Sequence, residues 1–285
     1  MASMPEASAA TAAQSTSVGS SGDTARRPHA WTARIGYYLV IPLALLAAWS
    51  VAAYLQLAPS YLLPSPDRVF FRTLPQELAK GRILIDSVES IRRVVLGVAL
   101  ATVTAVPLGI CLGYWRESRR WTSTLINGGR VLPPASLIPL AVIWFGIGDA
   151  PALFLIWFTC FWPILLNAAV GVQGVENLYR DSALTLGAHP SQIMATVLLP
   201  GALPQIVAGI RIAFGLGWSV VVTSELLAVR NGVGFYIWNA RLMFSMDQVF
   251  VGILVIGVIG VVLDALLRKA QRRMFRWQQS VTLRT

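Results

Sequence analysis

The sequence predicts an all-α, polytopic membrane protein with six transmembrane helices, and composition is the first reason. Of its 285 residues, 55% are hydrophobic and 13% are charged, and the mean hydropathy is +0.63. Soluble domains carry roughly 25% charged residues, so this chain cannot cover itself with a water-facing surface. Several runs also approach or exceed the ~18–20 apolar residues that cross a bilayer as a helix. They do not alternate as the strands of a membrane barrel do.

Six apolar runs set the order of the predicted elements. The spans are expected at about 36–58, 90–113, 131–147, 152–172, 204–228 and 248–267. Residues 35–270 are then expected to form one six-helix domain. The Ala- and Ser-rich residues 1–34 are predicted to be a disordered tail, because they cannot bury enough apolar surface to offset the entropy of ordering. Residues 271–285 are predicted to be a second tail.

Basic residues beside the spans set the predicted orientation. Three groups fall on one side of a six-span bundle, and the positive-inside rule makes that side cytoplasmic. They are Arg26, Arg27 and Arg34 before the first span, Arg116, Arg119 and Arg120 after the second, and Arg268, Lys269, Arg272, Arg273 and Arg276 after the sixth. Both termini are then cytoplasmic. The net charge of +10 is interpreted as serving topology rather than nucleic-acid binding.

Small residues recur every four positions along the second predicted span. They are Gly97, Ala101, Ala105, Gly109 and Gly113. Such a ladder lets another helix approach closely. It indicates either a rigid interface, within the bundle or between subunits, or the ordinary packing of a glycine-rich membrane helix.

The segment between the fourth and fifth spans is unusually polar and long. Residues 176–186 have helix-forming character, and Gly187 is expected to end that helix. His189 precedes Pro190, which favours a turn. A second short helix, 191–199, is then expected to run into Pro200. The segment exceeds the ~4–6 residues of a median connection, so we expect it to display a short helix to another protein.

This segment resembles the cytoplasmic signature of the permeases of ABC importers. That signature reads Glu-Ala-Ala, three residues, Gly, nine residues, then Ile-x-Leu-Pro. Here it reads Asp181-Ser182-Ala183, Gly187 and Val197-Leu198-Leu199-Pro200, with matching spacing. Residues 130–156 and 198–228 also look like the branch that imports nitrate, sulfonates, taurine and bicarbonate, with taurine and alkanesulfonate permeases resembled most.

The resemblance implies a set of contacts and partners. The coupling helix between the fourth and fifth spans would dock onto an ATP-binding subunit through Asp181, Ser182, Ala183, Gly187, Leu199 and Pro200. The expected partners are two ATP-binding subunits, a second copy of the permease, a periplasmic binding protein and membrane lipid, without nucleic acid. The chain would lie in the bacterial inner membrane, and ATP and Mg would bind the partner rather than this chain.

Charged residues inside the fifth predicted span mark a candidate translocation path, since intramembrane charges are functional hypotheses by default. Arg211 and Glu225 are about 40° apart around a helix, and the shared face holds Arg211, Gly215, Trp218, Val222 and Glu225. The alternative is that this stripe packs against the second copy while Arg211 snorkels to the interface. Arg130, at the start of the third span, is expected either to meet an anion or to anchor the interface.

Other functional classes receive less support from the residues. Two cysteines and two histidines cannot assemble a zinc-type cluster, so no metal site is predicted. No catalytic residues are predicted either, because both histidines lie outside the spans. The sequence also lacks the GKS/T nucleotide motif. A secondary transporter or channel, which usually has coupling carboxylates or internal repeats, remains the alternative.

Overall fold

The computed structural model describes residues 30–59, 61–115, 128–129 and 131–275, with side chains from Val40 onward. Contacts divide the chain into two units, Met1–Ala48 and Trp49–Thr285, whose boundary falls within the first helix. Residues 1–29 of the predicted tail, residues 276–285 and Arg130 lie outside the described residues. The first helix begins at Ala30, inside the segment predicted as a tail.

All regular elements of the described ranges are helical. The helices are α1 (Ala30–Tyr54), α2 (Leu74–Lys80), α3 (Arg82–Tyr114), α4 (Ile138–Phe145), α5 (Asp149–Gln173), α6 (Asn177–Thr185), α7 (Pro190–Ile193), α8 (Leu199–Leu227), α9 (Val233–Leu242) and α10 (Met246–Met274). Short π-helical turns cover Arg68–Thr73 and Met194–Leu198, and a 3-10 turn covers Pro134–Leu137. The prediction of an all-helical membrane protein is confirmed.

Four described helices are long and apolar enough to cross a membrane. They are Arg82–Tyr114, Asp149–Gln173, Pro190–Leu227 and Met246–Met274. These correspond to the second, fourth, fifth and sixth predicted spans, each extended at one or both ends. The first and third predicted spans correspond to shorter apolar helices, Val40–Tyr54 and Pro134–Phe145. The count of six spans therefore stays a prediction.

The core of the second unit is formed by α3, α5 and α8. The small-residue ladder of α3 lies against α5: a Cβ on Gly97 would stand 2.5 Å from Ile156 Cγ2, and one on Gly109 would stand 2.6 Å from Ala168 Cβ. Ala101 and Ala105 are fully buried between them. The ladder is thus a close helix–helix contact within one chain.

A methyl group on this ladder should destabilise the protein. We expect Gly109→Ala to lower the stability by about 1–3 kcal/mol, because the added carbon overlaps Leu165 O and Ala168 Cβ, both 2.6 Å away. Gly257→Ala on α10 is the matched control, since that glycine has open space around it and alanine is the better helix former. Thermal unfolding in detergent would measure both, and equal behaviour of the two variants would contradict this packing.

Two Leu-Pro pairs are accommodated by π-helical turns. The Leu74 N–H donates to Val69 O and the Leu199 N–H donates to Met194 O, each five residues back. This wider turn makes room before a proline, which has no N–H and would clash with the preceding turn of an α-helix. The prediction that a separate helix 191–199 ends at Pro200 is therefore wrong. The helix instead continues from Pro190 to Leu227.

Residues 61–80 form a proline-broken segment that is held against α9 and α10. Val69 is fully buried in a cluster with Tyr236 and Val251, and the indole N–H of Trp49 donates to Pro64 O at 3.1 Å. The Arg68 guanidinium lies 2.7 Å from a carboxylate oxygen of Asp247. The segment is thus packed at the end of the bundle where α8 finishes.

Candidate functional site

The helix α6 is exposed beyond the end of α5. Asp181 and Ser182, two of the predicted coupling residues, are exposed on it. Large apolar side chains are exposed close by, with Leu178 68% and Leu186 88% accessible. Exposed leucines next to an acid form a surface suited to docking against another protein.

A glycine turn sets the direction in which α6 ends. Gly187 adopts φ +80°, its N–H donates to Leu184 O at 2.9 Å, and the Ala188 N–H donates to Ala183 O at 3.0 Å. These two bonds form a Schellman motif. The backbone N–H of His189 then donates to Gln192 Oε1 at 2.9 Å, and the next helix starts at Pro190. The predicted helix end at Gly187 is confirmed.

The inner side of this hairpin is anchored to the bundle. Ala183 is half-buried and packs in a cluster with Ile193 and Leu198, which are 3% and 4% exposed. Ala168 and Val172, at the end of α5, belong to the same cluster. A displacement of α6 would therefore be transmitted to α5 and α8, because tightly packed interiors transmit strain.

Leu199 and Pro200 lie at the start of α8 rather than on α6. Both are exposed, and they follow the π-helical turn Met194–Leu198. A Cβ on the next residue, Gly201, would stand 2.8 Å from a methyl carbon of Val175, so this end of α8 lies close to the segment that leads into α6. The structure thus groups four of the predicted coupling residues on α6 and its turn, with the other two on the helix that leaves it.

A buried ion network lies at the opposite end of α8. Arg93 and Glu225 are both fully buried, and Arg93 Nη1 donates to Glu225 Oε1 at 2.7 Å. Ser90 Oγ lies 2.8 and 2.9 Å from the two carboxylate oxygens, and the Gly234 N–H donates to Glu225 Oε2 at 2.9 Å. Glu225 is thus surrounded by donors from α3 and α9.

The same arginine joins two further elements to this network. Arg93 Nε donates to Asp149 Oδ1 at 2.9 Å, and Nη1 donates to Asn231 O at 3.1 Å. Asn231 Oδ1 accepts from Nη2, and the neighbouring Gly232 N–H donates to Asp86 Oδ1 at 2.8 Å. One guanidinium therefore connects α3, the first turn of α5, the end of α8 and the loop that leads to α9.

Arg93 was missed in the sequence analysis, although a signal for it exists. It lies inside the predicted span 90–113 and has the charge opposite to that of Glu225. An arginine at membrane depth needs a partner, and Glu225 was the deep acid already identified. Pairing the two would have predicted a contact between the second and fifth spans.

The stripe predicted to line a path makes contacts inside the chain. Arg211 Nε lies 3.3 Å from Asp264 Oδ1 on α10, and the indole N–H of Trp218 donates to Ile256 O at 3.3 Å. Val222 is half-buried against the core, whereas Gly215 is exposed. Trp218 and Glu225 of this stripe are therefore buried inside the chain, and its assignment to a translocation path stays a prediction.

The open face of α8 lies beside that stripe. Gln205, Ile212, Leu216 and Ser219 are exposed on it, and their spacing places them on one side of the helix. Gly215 borders this side. Polar and apolar residues thus share the exposed surface of an otherwise apolar helix.

Known proteins share both the sequence and the fold of this chain. A family model described as "Binding-protein-dependent transport system inner membrane component" matches residues 105–276. The taurine transport system permease protein TauC of Escherichia coli (strain K12) is 36% identical over 241 residues, 83% of this chain and 88% of that protein. The nitrate import permease protein NrtB of Synechocystis sp. is 32% identical over 211 residues, 71% of this chain and 76% of that protein.

A solved structure agrees at the level of the fold. The MetNI methionine ABC transporter in an inward-facing conformation matches with a TM-score of 0.58 and 21% identity, covering 68% of this chain and 95% of that one. The family model spans more than half of the present chain. The protein therefore belongs to the family of binding-protein-dependent transport system inner membrane components, the multi-pass permeases of type I ABC importers.

Proposed function

We propose that this chain forms the translocation path of an ATP-driven importer for a small anionic or zwitterionic solute. Taurine or another alkanesulfonate is the first choice of solute, and nitrate or bicarbonate is the next. A periplasmic binding protein delivers the solute. The ATP that drives transport binds, with Mg, to a separate subunit.

The exposed helix α6 is the observation that carries this proposal. It presents Asp181 outward and is followed by the exposed Leu186, while its inner side is fixed to α5 and α8. That arrangement suits a contact through which an ATP-binding subunit moves the long helices. A secondary transporter has no need of such an anchored, outward-facing helix.

The assembly we propose contains two ATP-binding subunits and two copies of this chain. Each copy crosses the inner membrane six times, through α1, α3, Pro134–Phe145, α5, α8 and α10, and both termini and α6 are cytoplasmic. Lipid surrounds the apolar outer faces. One chain supplies half of a path, and a two-fold axis closes it.

Native mass spectrometry tests the homodimer. We expect a complex with two identical permease chains and two ATP-binding subunits, because two-fold pairing of one surface closes the path with a single gene product. A complex with two different permease chains would contradict the proposal. The sample is the complex purified from its native membrane through a tag on this chain, so that a different permease chain could be recovered with it.

The order of preferred solutes follows the relatives. The taurine permease is similar over 83% of this chain, against 71% for the nitrate permease. Glu225 does not decide between these solutes, because its carboxylate is already occupied by Arg93, Ser90 and Gly234. The buried position of Glu225 supports a structural role for this residue, at the end of the bundle opposite α6.

Competition in proteoliposomes tests the solute class. The complex with its binding protein is expected to accumulate labelled taurine, and unlabelled alkanesulfonates should compete better than nitrate or bicarbonate. Accumulation of nitrate with no competition by taurine would reverse the proposed order of preferred solutes. Accumulation of neither class would contradict the proposed solute.

A further inference from the structure

Two amide side chains meet between α5 and α8, near the ends of these helices that adjoin the segment holding α6. Gln205 Nε2 donates to Asn167 Oδ1 at 2.9 Å, and Asn167 Nδ2 donates to Pro163 O at 2.7 Å. Both residues lie inside helices that are long and apolar enough to cross a membrane. Neither was singled out by its sequence pattern.

Two glycines hold this amide pair in a close helix crossing. A Cβ on Gly209 of α8 would stand 2.5 Å from Asn167 Cβ, and one on Gly171 of α5 would stand 3.0 Å from Gln205 Cβ. Each amide thus lies against a glycine of the other helix. The reciprocal arrangement fixes both side chains, which is what a selective contact requires.

The exposed side of Gln205 is not suited to lipid. Asn167 satisfies one N–H of this amide, and the remaining N–H and carbonyl oxygen would lose their hydrogen bonds to water in hydrocarbon. Polar side chains in spanning helices therefore face the bundle interior or a water-filled cavity. Ser219 is exposed on the same side of α8. By contrast, the exposed large residues of α10 include Ile253, Val258 and Val261, which suit lipid.

We infer that Gln205, positioned by Asn167, contacts the solute as it crosses the membrane and helps to select it. This inference rests on the proposed function and names a solute-contacting residue within it. One N–H of Gln205 is used by Asn167, and the exposed amide retains a second N–H and its carbonyl oxygen. That N–H suits a sulfonate or nitrate oxygen.

A neutral amide would also release a passing solute more readily than an arginine would. Charge-assisted bonds to oxyanions are roughly twice as strong as neutral ones, and a conducting site must bind weakly enough to release its solute. The nearest charged stripe residue, Arg211, is paired with Asp264 instead. The solute would therefore pass the open face of α8, beside the stripe that was predicted to line the path.

Thiol labelling tests whether the exposed face of α8 is accessible to water. In the assembled complex with Cys111→Ala, the variants Gln205→Cys and Ser219→Cys are treated with a charged, membrane-impermeant methanethiosulfonate reagent, and Val258→Cys is the lipid-facing control. We expect labelling at least about tenfold faster at positions 205 and 219, because a thiol ionises in water and not in hydrocarbon. Rates no faster than that of Val258→Cys, in both nucleotide-free and vanadate-trapped complexes, would overturn the inference.

Solute protection tests the contact itself. We expect taurine with its binding protein to slow labelling of Gln205→Cys, and Gln205→Glu to reduce uptake of nitrate more than that of taurine, because the added carboxylate repels a simple anion. If no solute that the complex imports slows labelling, the contact is refuted. Labelling proceeds without transport, so failure to import taurine would refute the proposed solute and leave this test readable.

Discussion

Removal of Arg93 is expected to be among the most damaging single changes in the protein. Arg93→Met should lower the stability by about 3–5 kcal/mol, because it leaves Glu225 buried without its charged partner. It would also leave Asp149 with Arg92 as its remaining arginine partner, and it would remove the bonds to Asn231, although Asp86 would still join the loop between α8 and α9 to α3. Thermal unfolding in detergent and the amount of folded protein in the membrane would measure the loss.

The neighbouring arginine provides a matched control. Arg92 also pairs with Asp149, but its side chain is 48% exposed, so Arg92→Met should change the stability little. The double variant Arg93→Met with Glu225→Met should recover part of the loss, because both buried charges are then absent. Equal effects of Arg92→Met and Arg93→Met, or no recovery in the double variant, would show that the network does not stabilise the fold.

A change at the glycine turn should uncouple transport. Gly187→Pro is expected to reduce uptake on the order of tenfold or more, because proline cannot adopt φ +80° and has no N–H for Leu184 O. The chain should still insert, since this turn lies outside the long helices. Uptake and ATP hydrolysis would be measured together in reconstituted complexes.

Two further variants separate backbone geometry from charge. Gly187→Asn should retain coupling better than proline, because asparagine tolerates the left-handed conformation. Asp181→Arg keeps the turn and reverses the exposed charge, so it should weaken the contact with the ATP-binding subunit. Normal uptake per ATP hydrolysed in both Gly187→Pro and Asp181→Arg would contradict the proposed role of α6.

Rules that use only neighbouring residues were sufficient to predict where α6 ends. Gly187 was predicted to end a helix because glycine adopts a left-handed conformation without strain, and the bond pattern agrees. The same rules failed at Pro200, where a proline was expected to end the helix. The π-helical turn before it removes the clash, and nothing in the local sequence distinguishes that solution from a break.

Contacts between distant residues were harder to predict. Arg93 and Glu225 are separated by 132 positions, and their pairing depends on how α3 and α8 cross. The contacts made by the predicted stripe of α8 also depend on distant residues. Helical periodicity groups Arg211 with Glu225 but cannot tell which neighbour covers that side. The partner of Arg211, Asp264, lies on another span.

ATP-dependent uptake into proteoliposomes tests the central claim most directly. Labelled taurine is supplied with its binding protein to vesicles that contain this chain alone, this chain with its ATP-binding subunit, or this chain with a hydrolysis-deficient form of that subunit. The proposed function predicts accumulation in the second preparation alone, and only when ATP is present. Accumulation by this chain alone, driven by an ion gradient and independent of ATP, would contradict it.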